Sequence, residues 1–277
     1  MKSLNDFKSF TDGLPEQSYL MPVLFIGHGS PMNGIEHNTF SEAWATKAKE
    51  IPTPAAVLVI SAHWFTKGTH ITAMDFPKTI HDFGGFPEAL YQVQYPAPGY
   101  PTLAKETATL IHSTQVELDH DWGLDHGTWT IVKHMYPNAN IPVLQLSMDY
   151  TKHPQFHYTL AKEIYQLRKK GVLIMGSGNM VHNLRMVAWD KLNEPEYGYD
   201  WAHHMNKQFK NLILNDEHNK LVHYDQLCKE AQLAIPTPEH YLPLIYTLGL
   251  KSKGEKISFF NDKAVGGSLT MTSVQFG

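Results

Sequence analysis

Two short apolar runs early in the chain each end directly before a histidine. Pro22–Gly27 and Ala55–Ala62 consist almost entirely of apolar residues, a pattern that is typical of parallel strands covered on both faces. His28 and His63 follow these runs. Because the carboxyl ends of parallel strands meet at one edge of a sheet, we expect the two imidazoles to lie close together.

The rest of the chain alternates between further short apolar runs and segments with helical periodicity. Helices are predicted at Ser41–Lys49, Pro101–Ser113, Thr128–Met135, Phe156–Lys170, Trp201–Leu214, Tyr224–Ala231 and Tyr241–Leu250. Further strands are predicted at Gln115–Leu118, Ile141–Ser147, Gly171–Gly176, Ile257–Phe260 and Ser268–Thr272. This order indicates a single α/β domain with a mainly parallel central sheet flanked by helices on both faces. The irregular segment His70–Pro101 is expected to form a lid or pocket wall.

Charge and composition exclude several classes of protein. The net charge of −4, without a long run of lysine or arginine, argues against nucleic-acid binding, and no apolar run is long enough to span a membrane. Cys228 is the single cysteine, so an internal disulfide and a thiolate metal cluster are both excluded. Met1–Gln17 lacks the pattern of a signal peptide. We therefore expect a cytoplasmic protein that acts on a small molecule.

Seventeen histidines are the unusual feature of the composition, and they direct attention to nitrogen ligands for a metal. His28 lies between two glycines, where small neighbours leave room for an ion. At the end of an apolar strand, an unpartnered His63 would cost about 1–3 kcal/mol, which a bound metal would offset. Both residues are therefore predicted metal ligands.

Three further histidines lie next to the ends of predicted strands or helices and are candidates for the same site. His182 lies just beyond the buried run at Gly171–Gly176, after a glycine-rich Gly176–Asn179 that is either a tight turn or an anion contact. His240 precedes the last helix, and Glu239 beside it competes for the same role. His126 precedes another helix and is predicted to orient or protonate a substrate. The remaining histidines are interpreted as residues in polar surroundings, among them His37, His70, His112, His134, His153, His157, His203, His204, His218 and His223.

Five motifs, in this order, resemble the class III extradiol ring-cleavage dioxygenases, and the nearest branch is the DOPA 4,5-dioxygenase group of bacteria and betalain-producing plants. The motifs are Gly27–Met32, Ser61–Trp64, Leu124–Trp129, Gly176–Asn179 with His182–Leu184, and Pro236–His240. The resemblance runs from Met21 to the C-terminus. It therefore predicts an N-terminal extension over residues 1–20 and a catalytic domain over residues 21–277.

The resemblance implies a set of roles for the histidines. One divalent metal would be bound by His28, His63 and His240, with His182 as the catalytic histidine and a further contact to the ion. His126 would contact the substrate. We expect Zn²⁺ in the protein as purified and Fe²⁺ as the ion for dioxygenase chemistry, since several imidazoles suit both ions. The implied reaction opens the ring of a catechol such as L-DOPA with O₂, giving a semialdehyde.

Two other functions remain open on the same residues. A zinc-dependent hydrolase would use the same ligands without redox chemistry, because a fold does not determine a reaction. A Memo-like metal-binding or interaction protein would keep the sheet and lack catalysis. The sequence leaves assembly into a homo-oligomer open.

Overall fold

A six-stranded sheet runs through the centre of the protein, which is described by a computed structural model over residues 13–277. The strands are β1 Val23–Gly27, β2 Ala56–Ser61, β3 Phe65–Thr66, β4 Thr69–Thr72, β5 Val116–Asp119, β6 Val143–Gln145, β7 Met148–Asp149, β8 Val172–Gly178, β9 Ile257–Phe260, β10 Ala264–Val265, β11 Leu269–Thr270 and β12 Ser273–Phe276. Residues 1–12 of the predicted extension over residues 1–20 lie outside the described part of the chain.

The strand order in the main sheet is β6-β2-β8-β1-β12-β9. The first four strands are parallel, whereas β12 runs antiparallel to both β1 and β9. The prediction of a mainly parallel sheet is therefore confirmed, with an antiparallel edge built by the end of the chain. Strands β3 with β7, β4 with β5, and β10 with β11 form small two-stranded sheets.

Helices cover both faces of the sheet. They are α1 Thr39–Glu50, α2 Glu88–Tyr91, α3 Pro101–Leu110, α4 His126–Met135, α5 Pro154–Glu163, α6 Asp200–Leu214, α7 His218–Val222, α8 Lys229–Ala234 and α9 Leu242–Leu250. Alternate residues of β1 enter two separate apolar cores, with Val23 and Phe25 in one and Leu24 and Ile26 in the other. This burial on both faces explains why the central strands are continuous apolar runs.

Several predicted element boundaries were wrong, each for a local reason. Helix α1 begins at Thr39, before the predicted start at Ser41, because the side chain of Asn38 caps it by accepting hydrogen bonds from the backbone N–H groups of Phe40 and Ser41. The predicted helix over residues 156–170 ends as α-helix at residue 163 and continues as a 3₁₀-helix, Tyr165–Lys170. Residues 224–231 divide into a 3₁₀ turn and α8, because Cys228 is extended. Helix α7 was not predicted.

His157 is the clearest error among the histidines interpreted as lying in polar surroundings. Its side chain is fully buried where α5 packs on α9, and its Nδ1 lies 3.1 Å from the Tyr246 hydroxyl. Burial lowers the pKa of His157 to about 4. In contrast, His203 and His204 are both exposed, as predicted.

Acidification below pH 6.5 is expected to lower the free energy of unfolding through His157. Its pKa is near 6.5 in an unfolded chain and about 4 in the folded protein, so the unfolded state binds more protons in this interval. The free energy of unfolding therefore decreases as the pH is lowered from 6.5 to 4. The cost approaches about 1.4 kcal/mol per pH unit. Urea unfolding of His157→Gln should give a flatter pH profile than wild type, and exposed His204→Gln should not. Identical slopes for wild type and His157→Gln would contradict this role.

Candidate metal centre

Three parallel strands deliver the first two predicted ligands to one edge of the sheet. Strand β8 lies between β1 and β2, with Gly27 paired to Gly178 and Ser61 paired to Ser177. His28 and His63 therefore leave the sheet on either side of the same strand end. Their Nε2 atoms lie 3.1 Å apart, which confirms that the two imidazoles are brought together.

Ser177 determines the tautomer of His28. The Ser177 hydroxyl donates its proton to the carbonyl of Gly127 at 2.5 Å and therefore accepts a hydrogen bond from His28 Nδ1 at 3.0 Å. The proton of a neutral His28 is thus on Nδ1. Its Nε2 lone pair is left free, and this atom faces His63.

Asp82 contacts the Nδ1 atoms of two histidines, His63 and His126. One carboxylate oxygen, Oδ2, lies 3.3 Å from His63 Nδ1 and 3.0 Å from His126 Nδ1, and Oδ1 accepts from the backbone N–H of His126 at 2.9 Å. Burial alone would raise the pKa of the Asp82 carboxyl, but the hydrogen bond and charges of the histidines lower it below its ordinary value. An ionised Asp82 lies within ion-pair distance of both Nδ1 atoms and favours the tautomers that carry the proton there, which leaves each Nε2 as the unprotonated nitrogen.

Close packing at the end of β8 positions His240. A Cβ atom on Gly178 would collide with the carbonyl oxygen of His240, and one on Gly176 would collide with that of Pro243. The glycines therefore let residues 240–243 lie directly on the strand, where the His240 carbonyl accepts from Asn179 N–H at 2.9 Å. The prediction of a tight turn at Gly176–Asn179 was wrong, because residues through Gly178 belong to β8. The alternative, an anion contact at these residues, stays a prediction.

His182 stacks on His240. The ring centroids are 3.5 Å apart and the planes differ by 6°. The backbone of His182 is held from two sides, by a hydrogen bond to the Ala234 carbonyl and by a bridge to Leu269. These contacts fix the backbone from which the His182 side chain projects, just beyond the end of β8.

The cluster favours neutral imidazoles. Burial, together with the neighbouring histidines, holds the pKa values of His28 and His240 well below the ordinary value. Burial also lowers the pKa of His63 to about 3 and that of His182 to about 4. A histidine must be deprotonated to bind a metal, so this environment keeps the four rings in the form that can bind an ion.

The geometry fits a single ion. Two nitrogens bound to one ion at about 2.0–2.1 Å lie about 3.0–3.4 Å apart, which agrees with the distance between the Nε2 atoms of His28 and His63. Side-chain nitrogens of His28, His63 and His126 all lie within 4.8 Å of one another. His240 is adjacent, with its ring centroid 5.3 Å from that of His28 and 5.2 Å from that of His63.

Glu239 lies behind His240. Its carboxylate accepts from Thr237 Oγ1 at 2.7 Å and is 3.4 Å from His240 Nδ1. This is the contact expected of a carboxylate that orients a ligating histidine through its second nitrogen. The arrangement favours His240 over Glu239 as a donor to an ion.

Asp82→Asn is expected to weaken metal binding by about 10- to 100-fold, the usual cost of losing an outer partner of a ligating histidine. One carboxylate oxygen of Asp82 faces both rings and the other accepts from the backbone N–H of His126, so the asparagine amide nitrogen would oppose either the two ring N–H groups or that backbone N–H. The dissociation constant for the metal should be measured by competition with a chelator. Asp75→Asn, at an exposed aspartate, is the control. Equal affinities in the two variants would show that Asp82 does not orient the site.

Asp82 and Ser177 are functional residues that the sequence interpretation missed. Asp82 lies in the segment predicted to be a lid or pocket wall, and its only signal was the neighbouring His81-Asp82-Phe83-Gly84-Gly85 run. Ser177 was considered only as part of a glycine-rich loop. Both contacts join residues that are far apart in the chain, so no local pattern could predict them.

A cavity of about 570 Å³ opens over the histidines, within the range usual for small-molecule sites. Gly84, Gly85 and Phe86 form one side, which agrees with the predicted pocket wall. Another part of the lining is apolar and comes from Leu184, Val187, Trp189 and Leu192. The five predicted histidines all line this cavity: His28, His63, His126, His182 and His240.

A parallel α/β sheet whose strand ends bring neutral histidines to the base of an apolar cavity defines a metal-binding enzyme domain. Residues 21–273 match the family described as "Catalytic LigB subunit of aromatic ring-opening dioxygenase". The chain belongs to this family and is accordingly a ring-cleaving extradiol dioxygenase, an oxidoreductase that uses a single metal.

The relatives support this placement over nearly the whole chain. A protein of Escherichia coli K12 named "4,5-DOPA dioxygenase extradiol" is 47% identical over 262 residues, which cover 93% of this chain and 95% of the relative. A protein of Beta vulgaris with the same name is 34% identical, with 92% and 96% covered. The crystal structure of an uncharacterized Escherichia coli K12 protein superposes with a TM-score of 0.78 at 39% identity, covering 93% of this chain and all of that one. No helix within residues 13–277 is long and apolar enough to cross a membrane.

Proposed function

We propose that the protein opens the ring of a catechol such as L-DOPA between carbons 4 and 5, with O₂ as co-substrate and a semialdehyde as product. The observation that carries this proposal is the convergence of five histidines at the base of one cavity in a chain 47% identical to a DOPA dioxygenase. A hydrolase would use the same ligands, but the apolar cavity suits an aromatic ring better than a water-rich hydrolytic site.

We propose His28, His63 and His240 as the metal ligands. His28 and His240 each have Nδ1 engaged by an outer partner, Ser177 and Glu239 respectively, which leaves Nε2 available. Fe²⁺ is the proposed catalytic ion because Zn²⁺ has no accessible second oxidation state, although imidazoles bind both. When bound, the ion would lower the pKa of the catechol hydroxyls and supply the redox chemistry toward O₂.

His182 is the proposed acid–base residue. The ring is neutral at neutral pH because burial lowers its pKa to about 4. It would accept a proton from a catechol hydroxyl whose own pKa the ion has lowered, and return it later to the opening ring. His126 is proposed to contact the substrate, since its ring lines the cavity and its Nδ1 lies 3.0 Å from Asp82 Oδ2. The apolar walls would exclude water from the ring while it reacts.

The proposal is tested by loading the protein anaerobically with Fe²⁺, then adding air and L-DOPA. The expected result is oxygen uptake in a 1:1 ratio to substrate, together with the yellow semialdehyde. The same protein loaded with Zn²⁺ is the control and should do neither. No oxygen uptake with L-DOPA, catechol or any 4-substituted catechol would overturn the proposal and favour a non-redox zinc enzyme or a metal-binding protein.

The third ligand is tested by a comparison of three variants. His240→Ala should lower metal content, while Glu239→Gln should lower affinity without removing the site. His126→Ala should retain the metal and raise KM. If His126→Ala loses the metal and His240→Ala keeps it, the ligand set is His28, His63 and His126, which the spacing of their nitrogens also permits.

The proposed location is the cytoplasm, since a chain with one unpaired cysteine suits a reducing compartment. The proposed partners are an aromatic diol and O₂. Nucleic acid is not a proposed partner, because the net charge is −4.

A further inference from the structure

One side of the cavity over the histidines is formed by residues 84–86, a segment that belongs to neither a helix nor a strand. Gly84 and Gly85 are exposed, and a Cβ atom on either would meet no other atom within 4 Å. In contrast to Gly178, these glycines are not required for close packing. Gly85 has a φ of +79°, which residues with a side chain rarely adopt, so its backbone conformation depends on glycine.

The segment is anchored at its ends and unbonded between them. No backbone N–H of residues 84–86 donates a hydrogen bond within the part of the chain that the structure describes. On one side, Asp82 accepts from the backbone N–H of His126 and contacts His63 Nδ1. On the other side, Leu90 is fully buried in helix α2. A short span without hydrogen bonds can move locally while both anchors stay in place.

Phe86 is the aromatic side chain that this segment carries, and it is half-buried. Its ring packs edge-on against Phe83, with the centroids 5.4 Å apart and the planes at 80°. Phe83 packs in the same way against His126, at 5.6 Å and 82°. Phe86 and His126 line the cavity, whereas Phe83 does not. Phe83 therefore supports two rings of the cavity lining from behind.

Two aromatic residues other than histidine line the cavity among the residues that the structure describes, Phe86 and Trp189. Trp189 is 68% exposed, so most of its surface contacts water. Phe86 is instead half-buried and is joined to His126 through Phe83. Aromatic rings gain from offset or edge-to-face contact, so the planar ring of a substrate held at the histidines would gain most from Phe86.

We propose that Phe86 is a substrate-binding residue that packs against the ring of the bound catechol. The glycines beside it let it close on that ring while Asp82 remains on the histidines. Because every catechol has this ring, Phe86 strengthens the binding of L-DOPA and of unsubstituted catechol alike. This inference rests on the proposed catechol ring opening for the identity of the ligand.

The test measures the binding of L-DOPA and of catechol to the Fe²⁺-loaded protein by calorimetry without oxygen, and kcat and KM in air. Phe86→Ala should weaken the binding of both ligands by about tenfold, because apolar and ring contacts are lost together. Phe86→Leu keeps most of the apolar volume without the ring and should lose about threefold. KM should rise by the same factors, while kcat stays within about twofold of wild type.

The matched control is Phe156→Ala, since Phe156 is also half-buried but lies on α5. Unchanged affinity for both ligands in Phe86→Ala would overturn the proposal. So would a loss for L-DOPA alone, which would place Phe86 against the substituent and not the ring. A weaker metal affinity in Phe86→Ala, measured by competition with a chelator, would also overturn it and make Phe86 a structural support of Asp82.

Movement of the segment is tested by hydrogen exchange followed by mass spectrometry. The amides of residues 84–86 should exchange rapidly in the metal-loaded protein, and L-DOPA added without oxygen should slow them by at least about threefold. The amide of His126 donates to Asp82 and should exchange slowly in both states. Exchange of residues 84–86 that L-DOPA does not change would overturn the closing movement.

Oxygen uptake separates this proposal from the one on which it rests. Binding of catechols that depends on Phe86 but leads to no ring opening would leave the ring contact standing and overturn the dioxygenase activity. Ring opening with the same KM in wild type and Phe86→Ala would overturn the ring contact alone.

Discussion

His28→Ala is expected to weaken metal binding by more than about 100-fold, because loss of a ligand exceeds the 10- to 100-fold cost of losing its outer partner. Ring opening should be lost with the metal. His28 supplies a neutral nitrogen whose tautomer is set by Ser177 and which lies 3.1 Å from His63 Nε2. The measurement is metal stoichiometry after dialysis, together with oxygen uptake after Fe²⁺ loading.

The control for this prediction is His204→Ala, because His204 is exposed on α6. Circular dichroism should show that both variants remain folded. Full metal occupancy in His28→Ala would contradict a metal site at the end of β1 and would show that the ion binds elsewhere.

His182→Ala is expected to lower kcat by about 10²- to 10⁴-fold, the usual contribution of a positioned acid–base residue. Metal content should remain near that of wild type, since His28, His63 and His240 are retained. His182 stacks on His240 at 3.5 Å, so His182→Gln is needed as a second variant that fills more of the space. The two variants should share the loss in kcat, with smaller changes in KM.

Two outcomes would contradict the role of His182. Turnover close to wild type in both variants would exclude it as the acid–base residue. Loss of the metal in both variants would instead make it a ligand, which is the second role that the family resemblance implies.

The strand exits were the part of the site that the sequence predicted best. A buried parallel strand has a local signature, and a polar residue directly after it can only lie at the carboxyl edge of the sheet. His28 and His63 required no further information. Element boundaries were predicted less well, because capping depends on individual contacts such as those of Asn38 at the start of α1.

The contacts that orient the site could not be predicted in this way. Asp82 reaches His126 across 44 residues of chain, and Ser177 reaches His28 across 149. Hydrogen bonds over such separations leave no periodic pattern, because they depend on how the elements pack. The same holds for the stacking of His182 on His240.

The amino-acid sequence by itself determined the class of fold, the exclusion of thiolate ligands and the histidines available for an ion, because these follow from local periodicity and from residue type. The tertiary structure decided which nitrogens face each other, which carboxylates hold them and which apolar side chains surround the mouth of the cavity. These features depend on register and on close packing at β8. There, glycines admit the backbone of residues 240–243, and a single methyl group would displace it.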